Sequence, residues 1–413
     1  MKSLPKKGFV FWPVGNGDST TIVVKEKSTI IQVDLRHCES ASDDDSPMTP
    51  VLDELVRLLP KRDGKPYLSL FVLTHPDEDH CLGFKELLKK VKIGELWHTP
   101  RVFREYHKDL CEDAQAFRQE ARRRRDVTIE KQGDVESGDR VRVIGHDDIF
   151  EEDDYKDFPS YWRTRPGTSV TEVDGEELGE IFEAFIHAPF KDDMDDTRNN
   201  TSLAFQINLI EQEQVGKGLF FGDREYLLIK KIFDKTKERE RTQYLEWNVM
   251  LSSHHCSKSV MYWAETDEEE KTLQQDILDD FENVRCEGAY IIASSRSDFG
   301  DEDGKLPPHL KARKRYEEII DAGHFICTHE HPNKKAPEPI VFLLDTNGFK
   351  YQKPEGGAET AKSVASAVTA ARGGSAPPKE QVGFGATSWP KANSLHCDSW
   401  RKSSEPIHMR WKS

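Results

Sequence analysis

Seven residues of the 413-residue chain, Thr74-His75-Pro76-Asp77-Glu78-Asp79-His80, hold four side chains able to bind a metal: His75, Asp77, Asp79 and His80. Two carboxylates and two imidazoles in one turn repel one another or desolvate at a cost unless a cation lies between them. Zn²⁺ or Mn²⁺ accepts such a mixed nitrogen and oxygen set, and a pair of ions needs further ligands from elsewhere in the chain. The competing reading is an acidic surface turn with incidental histidines. Against it, the apolar run Leu68 to Leu73 delivers the chain to the turn, and Cys81-Leu82-Gly83-Phe84 resumes an apolar, helix-like pattern behind it.

Four other places share one feature with that turn: a ligand-capable residue at the end of an apolar, strand-like run. Asp34 closes the run Thr29 to Val33, His187 comes after Ile181 to Ile186, and Asp223 follows Gly218 to Phe221 through Gly222. His254 and His255 follow Trp247 to Leu251 through Ser252-Ser253. Strand ends on one edge of a sheet converge, so ligands far apart in sequence can meet around two cations.

The 75–80 segment resembles the His-x-His-x-Asp-His signature of the metallo-β-lactamase superfamily, in the variant whose second histidine is aspartate. Gly15-Asn16-Gly17-Asp18-Ser19, Val33-Asp34, His187-Ala188-Pro189 and Asn199-Asn200-Thr201-Ser202-Leu203 are similar, in order, to motifs of the soluble hydrolase domain of the competence protein ComEC and its free-standing relatives. So are Phe221-Gly222-Asp223, His254-His255-Cys256-Ser257-Lys258, and Ile291 to Asp298 with Pro308-His309. The likeness spans roughly residues 8 to 350. It implies an α/β, four-layer αββα sandwich (the metallo-β-lactamase fold) and two divalent metal ions, Zn or Mn. His75 and Asp77 would hold one metal, Asp79 and His80 the other, with Asp223 bridging and His254 or His255 completing the second site. His187 is a further ligand by motif, although this branch often lacks it. The resemblance also implies hydrolysis of a phosphodiester by a metal-bridging hydroxide, the chemistry of a nuclease, with Asp79 in the catalytic set and Lys258, His309 and Asn200 touching the phosphate or the leaving oxygen.

Two departures stand out. Cys256 occupies a position where the family has glycine, so either the turn needs no positive φ or a thiolate lies near the metals; a packed thiol is the plainer reading. Arg36-His37 follow Asp34 where small residues are common, which narrows the mouth or adds a phosphate contact.

The elements that must position these residues are legible in outline. Phe9 to Trp12, Ser19 to Val24 and Thr29 to Val33 read as three short strands parted by turn chemistry, and Val51 to Leu59 carries apolar residues at helical spacing. Strand, helix, strand, ligand turn, helix is the order of a layered α/β body. A charged insertion at about 101–180 follows. Its helical arm, 101–126, has eight Lys/Arg against six acidic residues and closes on Arg122-Arg123-Arg124-Arg125, which reads equally as a solvated helix end or a phosphate-binding patch. Asp192-Asp193-Met194-Asp195-Asp196 reads as a solvated loop rather than a chelating one, and 265–283 as an acidic, solvated helix. The hydrolase domain is expected over 1–352. Residues 353–413 turn to Ala, Gly, Ser and Pro, with Trp389, Trp400 and Trp411 near the end, and read as a flexible linker or a short docking segment for a protein partner.

Composition bounds the partners. With 36% hydrophobic and 32% charged residues and no run approaching a membrane span, the chain predicts a soluble protein with no membrane contact. Met1 to Lys7 lacks the apolar core of a signal peptide behind it. Seven scattered cysteines, with no Cys-x-x-Cys pair, point to a reducing, cytoplasmic setting. A formal charge of -16 repels a phosphate backbone at long range, so a nucleic-acid substrate requires a local basic surface or the metals themselves. That charge keeps a second reading open, a hydrolase of small phosphoesters or cyclic nucleotides. A third, from another class, is a non-catalytic interaction module working through the basic arm and the tail.

Overall fold

The computed structural model describes residues 1–354 apart from 43–47, 105–109, 147–150, 152–153, 194–196, 267 and 303–304. The Trp-containing tail and the 194–196 part of the acidic run lie outside the described residues.

Two sheets face each other, and helices cover their outer sides. The first sheet contains β1 (Gly8–Phe11), β2 (Thr20–Lys25), β3 (Thr29–Val33), β4 (Lys65–Val72), β5 (Lys92–His98) and β6 (Arg140–Ile144) in that spatial order. Helices α1 (Val51–Leu58), α2 (Phe84–Lys90) and α3 (Glu112–Glu130) lie against it. The second sheet contains β7 (Phe182–Ala188), β8 (Ala204–Glu211), β9 (Gln214–Phe220), β10 (Trp247–Leu251), β11 (Arg285–Ala293) and β12 (Phe325–Cys327). It is covered by α4 (Tyr226–Glu238), α5 (Gln275–Val284) and α6 (Leu310–Glu318). The chain returns to the first sheet as β13 (Ile340–Asp345), which pairs with β1, and β14 (Gly348–Gln352).

Alternation along the strands produces the layers. Phe9 and Phe11 of β1 enter the core between the sheets with Ile22, Leu70, Val72, Phe205, Phe220 and Ile292, whereas Val10 faces the helices with Leu52, Phe84 and Phe117. Leu219, Met250 and Ile291 turn outward to meet Ile229, Phe233, Phe281 and Tyr316. The three cores make the four-layer αββα sandwich. Within it, β3, β4, β5 and β6 run parallel, as do β9, β10, β11 and β12. Their C-terminal ends carry Asp34, the 75–80 turn, Asp223 and the 254–255 pair to one edge.

Three expectations need revision. The arginine run does not end its helix, since α3 continues to Glu130. Nor do Arg123, Arg124 and Arg125 stand free as a phosphate-binding patch. Arg124 is 2% exposed and donates to the Ile93, Gly94 and Arg140 carbonyls, Arg123 pairs with Glu120 and Asp139, and Arg125 with Asp126 and Asp154. A charge count cannot tell a buried, carbonyl-capped guanidinium from a free one. Among the described residues of 265–284 only Gln275–Val284 is helical, and Ile277, Leu278 and Phe281 of that helix are buried, so it is amphipathic rather than solvated all round. Among the described residues, no helix is long and apolar enough to cross a membrane.

Candidate metal centre

The turn after β4 is held from beneath. Asp34, at φ 51°, accepts from Thr74 N (2.8 Å) and Thr74 Oγ1 (2.7 Å) and from His80 Nδ1 (2.8 Å). That bond sets the His80 tautomer and turns Nε2 toward Asp223 Oδ1, 3.3 Å away. Asp34 thus orients a ligand instead of being one. Asp223 follows Gly222, whose φ of 57° and close approach to Ser202 leave no room for a Cβ.

The turn after β10 is unusual. His254, His255 and Cys256 occupy the left-handed region in succession, at φ 52°, 52° and 67°. Each costs about 1–2 kcal/mol for an L-residue, so the loop is held by its surroundings. His254 N donates to the Gly222 carbonyl (3.2 Å), and Ser253 Oγ lies 2.7 Å from the same oxygen. His309 N donates to the Cys256 carbonyl (3.0 Å), while its Nδ1 accepts from Lys258 N (3.2 Å) and its Nε2 meets the Lys305 carbonyl (3.0 Å). Both ring nitrogens of His309 are therefore engaged by backbone, which makes it a brace for the 254–258 loop and leaves no ring nitrogen for a phosphate. The turn does require positive φ at Cys256, and burial holds that thiol well above its usual pKa, so it is a packed, protonated side chain.

Four imidazoles converge on Asp223. His255 Nε2 is 3.5 Å and His75 Nε2 3.8 Å from Oδ2, and His254 Nε2 is 3.9 Å from the same oxygen. His255 also stands 3.0 Å from Asp79 Oδ2 and 3.4 Å from Asp18 Oδ1, and His75 Nε2 is 3.5 Å from Asp77 Oδ2. Bonds of about 2.0–2.1 Å in tetrahedral geometry set neighbouring donor atoms roughly 3.3 Å apart, which is the spacing found. Asp18, His80, Asp223 and His255, all buried, each offer an atom within 4.8 Å of the others. Beyond Asp223, which all four rings approach, His255 keeps company with Asp18 and Asp79, His75 with Asp77, and His254 with Glu225 at 4.0 Å.

A cation fits this place. His75 Nε2, His80 Nε2, both nitrogens of His255, Asp18 Oδ1 and Asp223 Oδ1 are buried without a hydrogen-bond partner, whereas interior polar atoms are nearly all paired. Electrostatics agrees. Burial works against charge at His80, yet Asp223, Asp34 and Asp79 hold its pKa well above the usual range, and His255 is raised in the same way by Asp223, Asp18 and Asp79. Against its own burial, Asp223 is held well below the carboxylate range by His255 and His80. Asp77, despite burial, is lowered to about 2 by His75 and Arg198, whose Nη1 is 2.8 Å from Oδ1. Protons thus occupy the cluster where metal charge would otherwise sit, and binding a metal would release them.

The remaining sequence-predicted residues are placed as follows. His187 is not brought to the cluster. Its strand runs to Ala188, one residue past it, so the ring shares the outer face with Phe185, 5.0 Å away between centroids. His187 Nε2 donates to the Tyr244 carbonyl (2.9 Å), and burial lowers its pKa to about 4. It lines a separate cavity of about 540 Å³ with Arg165, Arg239 and Arg241. Lys258 and Asn200 are partly exposed, on the 254–258 loop and on the turn Asn199–Thr201. Asp193 is no ligand either, being buried in an ion pair with Arg224 (2.9 Å) and Lys231 (2.7 Å). Sequence reasoning passed over two residues. Asp18 was visible as an acid directly after a glycine turn, and Arg198 only as the neighbour of Asn199.

No family model matches the chain, and no curated protein matches it. Solved structures that it resembles include a B3 metallo-β-lactamase with an active-site glutamic acid, at 14% identity and a TM-score of 0.32 over 66% of this chain and 82% of that one. Another is the metallo-β-lactamase SMB-1 bound to 2-mercaptoethanesulfonate, at 14% identity and a TM-score of 0.28 over 61% and 79%. Layer order and strand-end ligands, rather than either likeness, identify the architecture: the chain has the four-layer αββα arrangement of the metallo-β-lactamase fold.

Proposed function

We propose that the protein is a metal-dependent hydrolase that cleaves phosphodiesters, and specifically a nuclease. The observation that carries this reading is the buried set of unpartnered imidazole and carboxylate atoms converging on Asp223. Two divalent ions there, Zn or Mn, would lower the pKa of water toward neutrality and stabilise charge gathering on phosphorus oxygens. The chain's own residues would do the rest. Asp34 fixes the His80 ring, His309 fixes the 254–258 loop, and Asp223 spans the two halves of the site. Asp79, held as a carboxylate by His80 and His255 against burial, offers a partly exposed oxygen at the mouth of the cluster, where it would help hold a metal and orient the attacking water by accepting its hydrogen bond. Lys258 and Asn200 are the rim groups within reach of substrate oxygens, and they supply a charge and a hydrogen bond where the metals do not.

The decisive experiment offers single- and double-stranded DNA, RNA and bis-p-nitrophenyl phosphate to Mn²⁺- or Zn²⁺-loaded protein beside Asp223→Asn. Cleavage of a nucleic acid that the variant loses by at least about a hundredfold supports the reading. A loaded protein that leaves every nucleic acid intact ends it. The charge of -16 favours a second reading, a small phosphoester or cyclic nucleotide as substrate, and hydrolysis of bis-p-nitrophenyl phosphate alone would select it.

A further inference from the structure

Arg36 interrupts the small residues expected after Asp34, and the structure shows where its side chain goes. It lies over the glycine loop, and a Cβ built on Gly17 would fall 2.1 Å from Arg36 Cδ and 2.6 Å from the Asp79 carbonyl oxygen. A Cβ on Gly15 would meet Arg36 Nη1 at 2.7 Å and Arg296 Nε at 3.7 Å, so two guanidinium groups flank one loop position. The loop carrying Arg296 is tied down there. Ser294 Oγ donates to the Gly17 carbonyl (2.6 Å), and Arg296 N donates to Asn16 Oδ1 (2.8 Å).

Asn16 and Gly17 lead directly to Asp18, which faces His255. The cationic pair therefore adjoins the metal cluster on the side of Asp79 and His255. Among the described residues, Arg36 gives one donor to the Val14 carbonyl and lies 3.9 Å from Met48 Sδ, while the Arg296 side chain has no hydrogen-bond or ion-pair partner. A guanidinium carries five donors, so both keep most of theirs for a ligand. His329, 8% exposed, has an Nε2 without a partner. Burial first, then Arg296 and Arg36, lowers its pKa to about 4, which keeps it neutral beside them. In a strongly acidic protein, two cations and a neutral imidazole left together beside a reaction centre form a place for an anion.

Resting on the hydrolase reading, we infer that Arg36 and Arg296 clamp a second phosphate of the substrate, next along the chain from the one at the metals. The preferred substrate would then be a polynucleotide strand or another ester carrying neighbouring phosphates. An isolated phosphodiester would leave the clamp empty.

The test uses full-length protein, a fluorescein-labelled single-stranded oligothymidylate and bis-p-nitrophenyl phosphate, with Arg296→Ala and Arg36→Gln. Binding of the oligonucleotide to metal-stripped protein is followed by anisotropy over a salt series. Arg296→Ala should weaken it about five- to tenfold and reduce the slope of log affinity against log salt by about 0.7, as expected for one lost phosphate contact on a single strand. In metal-loaded protein, the loss in kcat/KM on the oligonucleotide should exceed the loss on bis-p-nitrophenyl phosphate by at least about fivefold. Equal losses on the two substrates, or an unchanged salt slope, overturn the clamp even where wild-type hydrolysis persists. Conversely, an Arg296-dependent slope in a protein that hydrolyses neither substrate upholds the clamp and removes the hydrolase reading.

Discussion

Asp223→Asn is the most informative perturbation, because one buried oxygen pair serves four imidazoles at 3.3–3.9 Å. The change keeps shape and removes charge. In metal-free protein it strips the raised imidazoles of His80 and His255 of their common counter-ion, and removing one partner of a buried ion pair costs about 3–5 kcal/mol. For the roughly 350-residue body, an unfolding entropy of about 2.1 cal/mol/K per residue makes each kcal/mol worth roughly 1.3 °C, so Tm should fall by about 4–7 °C near neutral pH. The sign of the pH dependence follows from the shifts. His80 and His255 have raised folded pKa values, so their share of stability is present below the ordinary imidazole pKa and is lost as pH rises through the raised ones. The wild-type advantage should therefore shrink in alkali. Added Mn²⁺ or Zn²⁺ at about a hundred times its Kd should contribute about 2.7 kcal/mol, near 3–4 °C, to the wild type and little to the variant. Differential scanning calorimetry with and without metal measures both increments. A variant that keeps the wild-type metal increment would refute the place given to Asp223.

Three further outcomes are expected. Asp34→Ala removes the acceptor that fixes His80 Nδ1 and should weaken metal affinity about 10- to 100-fold, by competition against a chromogenic chelator, without changing stoichiometry. Cys256→Gly should be more stable than Cys256→Ala by about 1–2 kcal/mol in urea unfolding, because both delete the thiol and only glycine accepts φ 67° freely; the reverse order would contradict the left-handed turn. His98, fully buried and lowered to about 4 chiefly by burial, stays neutral when folded but takes a proton when unfolded as pH falls below about 6.5. Stability should fall between about pH 6.5 and 4, by at most ~3 kcal/mol from this residue, and His98→Gln should flatten that part of the Tm profile.

Apolar runs made the strands legible, since a stretch such as Leu68 to Leu73 can satisfy burial only inside the sandwich. The parallel ends of β3, β4, β9 and β10 then bring their ligand-bearing turns together, so much of the cluster could be anticipated. Finer placement depends on details that composition does not carry. His187 looked like a strand-end ligand, but β7 extends past it, and alternation puts its ring on the far face beside Phe185. Asp34 and Asp223 both follow apolar strands, yet one orients a ring and the other faces four. Asp18 stood in view after the glycine turn, but its approach to the cluster depends on that loop folding back onto the Asp79 carbonyl, where Asp18 N donates at 3.2 Å. The histidines at 254 and 255 could not be told apart in sequence, because only the left-handed turn gives His255 its contacts with Asp18 and Asp79 and turns His254 toward Glu225.

The central claim is that this cluster holds divalent metal. Anomalous diffraction from a Mn²⁺-loaded crystal tests it directly. The account predicts density about 2.0–2.3 Å from His80 Nε2, His255 Nε2 and an Asp223 oxygen, with a second peak toward His75 and Asp77. A fully loaded crystal with no peak among these residues, or with its only peak elsewhere, would contradict it.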